Sequence, residues 1–228
     1  MFSADFHLQI IDLKGSQTLM TKMYLKFLIL SSLFWIPYFA AEAAPEDKGR
    51  WDKKYETEQY ISGKEPITFL RENLSLLPQG KALDNAMGEG RNGVYLATQG
   101  FMVTGLDISA VGLKKAEALA RARGTQIETK VVDLETYQLP AGRYDVIVCS
   151  YYLQRDLFPQ IVHSLKPGGM AIVETFTHDH LKYRPTFTPQ YLLDRNELLL
   201  HFKNLTVLRY QVVDTGQAVY ASILVQKP

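Results

Sequence analysis

Lys81-Ala82-Leu83-Asp84-Asn85-Ala86-Met87-Gly88-Glu89-Gly90-Arg91-Asn92-Gly93 (KALDNAMGEGRNG) passes from a short strand-like run into a glycine-rich turn. Gly88-Glu89-Gly90-Arg91-Asn92-Gly93 fits G-x-G-x-x-G, and residues 92–98 continue as a helix that closes near Gly100. Residues 101–106 (FMVTGL) read as a second strand, and Asp107 ends it 19 positions after Gly88. Glycines let a backbone come close to a ligand, and a helix start offers free N–H groups. An acid at the end of the second strand is placed to accept from both hydroxyls of a ribose. The plain alternative is a tight turn followed by Asp107 as a helix cap.

Outward from this unit, strand and helix patterns alternate. Residues 67–77 carry Ile67, Leu70, Leu74 and Leu77 at helical spacing, and Pro78-Gln79-Gly80 stops them. Residues 110–123 (AVGLKKAEALARAR) form a helix ended by Gly124. Residues 127–132 are a third strand, and 144–149 (YDVIVC) a fourth, apolar as in strands buried on both faces. A helix over 157–165 leads through Lys166-Pro167-Gly168-Gly169 into a fifth strand, 170–175. Repeated βα units imply a parallel sheet with helices on both faces. Residues 205–213 and 217–225 are rich in β-formers with only Asp214-Thr215-Gly216 between them, so they pair antiparallel. The expected fold is α/β: a doubly wound, mostly parallel seven-stranded sheet with an antiparallel C-terminal hairpin.

The chain has 228 residues, 46% hydrophobic and 21% charged, enough for one sizeable core plus an appendage. A net charge of +1 gives no electrostatic case for a nucleic-acid partner. The single cysteine, Cys149, excludes an internal disulfide and a multi-cysteine metal site. Its apolar strand marks it as a core residue. Residues 1–43 stand apart. Residues 27–41 (FLILSSLFWIPYFAA) are uncharged and mostly apolar, with Lys22 and Lys26 before them and Ala41-Glu42-Ala43 after. This reads as a secretory signal starting at Met20 or Met23, or as an uncleaved anchor, although a span needs roughly 20 apolar residues. Lys14, Lys22 and Lys26 on one side and Lys48, Arg50, Lys53 and Lys54 on the other leave the orientation open. Residues 44–50 read as a linker, and 51–228 as the folded domain.

Three features tilt the glycine loop away from a dinucleotide. Asp84 sits just upstream, where a carboxylate could accept the ammonium of an amino-acid cofactor and would repel a pyrophosphate. Asp133-Leu134 ends the third strand, where the acid can accept from an adenine amine. The antiparallel finish differs from the two βαβαβ halves of a dinucleotide fold.

Asp84-x-x-x-Gly88-x-Gly90, Asp107, Asp133 and Lys166-Pro167-Gly168-Gly169 together resemble the motif series of class I S-adenosylmethionine (SAM)-dependent methyltransferases. Trp51-Asp52-x-x-Tyr55, Gly63-Lys64-Glu65-Pro66, Gly88-Glu89-Gly90-Arg91-Asn92 and Tyr151-Tyr152-Leu153-Gln154-Arg155 resemble the tellurite-resistance (TehB-type) and related small-molecule methyltransferases. The resemblance runs over residues 51–228. It implies that Gly88 and Gly90 approach the amino-acid part of SAM, Asp107 the ribose, and Asp133 with Leu134 the adenine. Asp84, Glu89, Asn92, Ile108 and Ser150 complete the expected cofactor shell. Asn85-Ala86-Met87 departs from the family's usual turn and casts doubt on packing at Asn85.

Methyl transfer from a sulfonium needs alignment first, and a general base only if the nucleophile arrives protonated. Residues after strands four and five should face the methyl group, which nominates Ser150, Tyr151 and Tyr152, then His178 and His180. His178-Asp179-His180 otherwise reads as a solvated loop, and no further ligand for a metal can be placed there. Trp51, Tyr55 and Tyr60 could form a flap over the cofactor. Residues 177–201 are the expected substrate lid, whose length favours a small-molecule acceptor. Two other readings stay open: an NAD(P)-dependent Rossmann oxidoreductase using the same loop, and a non-catalytic SAM-binding, membrane-tethered protein. The apolar N-terminal run allows membrane association or export, and equally a cytoplasmic catalytic domain.

Overall fold

A computed structural model describes residues Ala43–Pro228, which form one compact unit. The apolar run at 27–41, and the signal or anchor expectation attached to it, lie outside the described residues.

The sheet has seven strands: β1 (Lys81–Asn85), β2 (Met102–Asp107), β3 (Glu128–Val131), β4 (Tyr144–Ser150), β5 (Leu165–Phe176), β6 (Thr206–Asp214) and β7 (Val219–Gln226). Their order is β3-β2-β1-β4-β5-β7-β6. The first five pair parallel, while β7 lies antiparallel between β5 and β6, so the expected hairpin is present. Regular β4–β5 pairing starts at Val146 opposite Met170. Lys166 to Gly169 loop out before it, with Gly168 at φ +76°, as the turn chemistry required.

Strand parity sends alternate residues to two helical layers. Val146 and Val148 of β4 join Ala82, Leu96, Leu113 and Ile172 on one face. That face is covered by α2 (Thr68–Asn73), α3 (Arg91–Thr98) and α4 (Ala110–Ala122). Ile147 and Cys149 point the other way, against α5 (Leu157–Ser164) and α6 (Glu197–His201) through Phe158, Ile161, Leu198 and Phe202. Each such aliphatic or aromatic side chain, fully buried, contributes roughly 1.5–3 kcal/mol. Burial also pushes the Cys149 thiol up to about 12, as for an inert core thiol.

The stretch expected as a linker is helical. It is the first half of α1 (Ala43–Tyr55), which places Glu46 in its first turn and Lys53 and Lys54 in its last, complementing the helix dipole. Pro45 falls where its missing N–H costs nothing. The helix is held through Asp52, whose Oδ1 accepts from Ser109 Oγ at 2.6 Å and Val111 N at 3.4 Å. Composition suggested a hinge, but tertiary partners make a wall.

Asn85 justifies the doubt placed on it. It is wholly buried at the end of β1, and neither its amide nitrogen nor its oxygen has a hydrogen-bond partner among the described residues. Leaving such groups unpaired costs about 1–3 kcal/mol. Asn85→Leu, which keeps the branching at Cγ and removes both polar atoms, is expected to raise the urea midpoint, with a gain of about 1 kcal/mol in unfolding free energy. An unchanged or lowered midpoint would show that the amide is satisfied by buried water.

Candidate functional site

The sheet order reverses between β1 and β4, the topological switch point at which open α/β sheets bind ligands. A cleft of about 750 Å³ opens there at the carboxyl ends of β1, β2, β4 and β5. It is lined by Gly88, Glu89, Gly90, Asn92, Asp107, Ile108, Asp133, Leu134, Ser150, Tyr151 and Tyr152, so one cavity gathers the expected cofactor shell except Asp84, together with the three leading candidates for the methyl site.

The glycine loop needs its glycines. Gly88 and Gly90 lie at φ +55° and +87°, in the left-handed region. A Cβ on Gly88 would sit 2.7 Å from the Tyr55 hydroxyl, and one on Gly90 2.9 Å from Cα of Ala116. Asp107 holds the loop: Oδ2 accepts from Gly88 N at 2.7 Å and Oδ1 from Ser109 N at 2.8 Å. Burial raises its pKa, and those backbone donors pull the other way. Asn92 ties three segments, accepting from Ile67 N at 3.0 Å and donating to Ser150 Oγ at 2.8 Å. Glu89 is paired with Lys115 at 2.5 Å. Asp133 accepts from Glu135 N at 2.9 Å through Oδ1 while its side lines the cleft beside buried Leu134. The bond within the turn and the cleft position therefore coexist.

Asp84 is a correction. Its carboxylate does not reach the cleft: it is 1% exposed, and Oδ2 accepts from Gly93 N at 2.7 Å. Strand parity explains this, because Asp84 shares the face of Ala82 and points under α3. Asp84 therefore positions the loop, and its charge is no argument against a pyrophosphate.

Of the expected flap, Trp51 and Tyr55 line the cleft and stack at 5.5 Å between ring centres. Tyr60 does not line it, and its hydroxyl donates to Lys115 O at 2.9 Å. His178 and His180 also stay outside the lining. The loop they were assigned to is a short 3-10 helix, His178–Lys182, in which His180 is 4% exposed and stacks on Phe176 at 4.2 Å. The cleft is instead walled on this side by Tyr151, Phe176, Phe187 and Tyr191, with Arg91 and Arg184. Arg91 follows the glycine motif and was within reach of sequence reading. Residues 184–191 have no periodicity that would have singled them out.

Residues 82–169 match the family model for a methyltransferase domain. The ubiquinone biosynthesis O-methyltransferase of Idiomarina loihiensis is 32% identical over 120 residues, covering 50% of this chain and 49% of that protein. The enzyme of the same description from Rickettsia conorii is 29% identical over 109 residues, 44% of this chain and 36% of that one. The chain thus spans about half or less of the length of these relatives. TehB from Haemophilus influenzae superposes with a TM-score of 0.60 at 20% identity, covering 79% of this chain and 67% of that one. Geranyl diphosphate C-methyltransferase from Streptomyces coelicolor gives 0.64 at 14% identity, over 83% and 100%. The fold is that of the class I SAM-dependent methyltransferases, and within that class the chain resembles the TehB-type proteins.

Burial pushes the Asp84 carboxyl up to about 7, against the hydrogen bond from Gly93 N and the charge of Arg91. An unfolded aspartate titrates near 3.9. Between these values the folded state holds a proton that the unfolded state releases, so stability falls as pH rises through that window and levels off above it. Asp84→Asn keeps an acceptor for Gly93 N and removes the titration. The variant is expected to gain on the wild type by on the order of 2 kcal/mol between pH 5.5 and pH 8, read from urea unfolding. Parallel pH profiles would show that Asp84 keeps an ordinary carboxylate pKa.

Proposed function

We propose that this chain is a SAM-dependent methyltransferase acting on a small-molecule acceptor. The observation that carries the reading is the gathering of Gly88, Gly90, Asp107, Asp133 and Leu134 at one cleft of a class I methyltransferase fold. These residues suit SAM chemically. A Cβ on Gly88 would collide with Tyr55 and one on Gly90 with Ala116, so only glycine keeps the turn on its tight path beside the cleft. Each Asp107 oxygen spends one lone pair on a backbone N–H and keeps another for a ribose hydroxyl. Asp133 offers an acceptor to an adenine amine beside the apolar wall of Leu134.

SAM held there would supply an electrophilic methyl carbon, which bonds to an acceptor lone pair as its bond to sulfur breaks and S-adenosylhomocysteine leaves. The chain's own part is to position and to exclude water. Ser150 is fixed by Asn92, and Tyr151 is held at φ +55° by its N–H to Glu174 O at 2.7 Å. Trp51 and Tyr55 close the cleft from α1. Positioning of this kind can supply roughly 7–11 kcal/mol. Burial raises the pKa of Tyr151 and Tyr152, so both stay protonated at neutral pH and neither is a ready base.

Calorimetric titration with SAM and with NAD(P) tests the reading. SAM is expected to bind, and Asp107→Ala to weaken it at least tenfold, about 1.4 kcal/mol. NAD(P) binding in place of SAM would make the protein a dehydrogenase-like one, and SAM binding without turnover over a broad acceptor panel would favour a silent SAM-binding protein.

We further propose membrane association through residues 27–41. Support comes from the uncharged apolar run itself and from chain continuity, since Asp47, Arg50 and Trp51 of the cleft wall follow it within ten residues. Among the described residues no helix is long and apolar enough to cross a membrane. The chain is expected to sediment with phosphatidylcholine–phosphatidylglycerol vesicles, and Leu30→Asp with Leu33→Asp to release it, each charge costing roughly 3 kcal/mol at bilayer depth. Wild-type protein left in the supernatant would refute the association.

A further inference from the structure

We infer that the methyl acceptor is an organic anion with a flat apolar body, its charge met by Arg184 and its body by the rings of Tyr151, Phe176 and Phe187. The inference rests on the methyltransferase reading and adds the chemical class of the acceptor.

The rings form a continuous wall. Tyr151 and Phe176 lie 4.9 Å apart between centres, and Phe176 and Phe187 5.5 Å apart. All three line the cleft, after strands β4 and β5 and on the segment that follows. Behind them, His180 stacks on Phe176 with ring planes 10° apart, and its Nδ1 accepts from Val219 N at 3.4 Å. A wall backed in this way presents fixed ring faces, which favour a flat partner in offset or edge geometry. Burial and the neighbouring Arg184 charge lower the pKa of His180, so it adds no second cation at neutral pH.

The charges of the cleft are divided. Its acids are Asp47, Glu89, Asp107, Asp133 and Glu135, none of them on the segments that carry the ring wall. The nearest carboxylate behind the rings, Glu174, is 2% exposed, holds Ser222 Oγ at 2.7 Å and does not line the cleft. Four cations line it. Arg50 is paired with Asp47 at 2.7 Å, and Lys54 lies 4.2 Å from the Trp51 ring centre. Arg91 donates to Ser62 O at 3.0 Å and lies over Tyr151, beside the glycine loop. Arg184 alone of the four has, among the described residues, no ion pair, side-chain hydrogen bond or ring partner. A guanidinium at an apolar rim has five donors in a fork that matches a carboxylate or phosphate.

The test is a set of matched probes titrated calorimetrically into the 228-residue chain saturated with S-adenosylhomocysteine: 2-naphthoate, the neutral 2-naphthalenemethanol, and decahydro-2-naphthoate, the non-planar fused-cyclohexane acid. S-adenosylhomocysteine binding is measured first in every variant. The naphthoate is expected to bind at least about tenfold tighter than either partner. Arg184→Gln should remove its advantage over the alcohol while leaving S-adenosylhomocysteine affinity within about twofold. Arg195→Gln, which removes the same charge from an exposed position outside the cleft, should leave the advantage intact. Equal binding of naphthoate and alcohol, no naphthoate binding, or an advantage that survives Arg184→Gln overturns the anion site. Equal binding of the fused-cyclohexane acid overturns the flat-body part. If S-adenosylhomocysteine itself fails to bind the wild type, the cofactor reading falls, and this inference with it.

Discussion

The carboxylate of Asp107 accepts one backbone N–H on each oxygen, from Gly88 in the glycine loop and from Ser109 at the start of α4. Charge-assisted bonds of this kind contribute roughly 1.5–3 kcal/mol each in a buried setting. They hold Gly88 in a conformation open mainly to glycine, and that conformation leaves room for the Tyr55 ring. The same ring needs Gly112, where an added Cβ would lie 3.0 Å from it. Ser109 passes the constraint on to Asp52, and so to α1. The floor and the near wall of the cleft thus depend on one acid at the end of β2.

The far wall has a separate anchor. Arg155 forks onto Glu197 at 2.6 and 3.0 Å and donates to Gln190 O and Leu192 O, each at 3.1 Å. This ties the segment after β5 to the loop after β4. Leu193 N donates to Phe176 O at 2.9 Å and closes the link to the sheet. The expected lid is therefore an ordered part of the domain, with its rings set against Phe176.

Much of the fold was legible because it rests on short-range rules. The βα rhythm, the turn at Lys166 to Gly169 and the short link before β7, residues 215–218, each follow from the residues within a few positions. Asp107, Asp133 and the glycines were legible because strand ends in this fold all point to one edge of the sheet. Asp84 stays out of the cleft for a reason open to sequence: strand parity places it with Ala82, under α3. His180 reads as solvated from Asp179 and Lys182 beside it, whereas the chain folds Phe176 and Phe187, four residues before and seven after, over its ring.

By itself the sequence determined the layer architecture, the glycine turn and the acid at the end of β2, since periodicity and φ preference act between near neighbours. Tertiary structure decided that α1 is a wall and not a linker, because its partners Ser109 and Val111 lie 57 and 59 residues away. It also decided that β7 sits inside β6, and that Arg184 shares a cleft with Tyr151. Those outcomes depend on which distant surfaces can be buried together, and no local pattern encodes that choice.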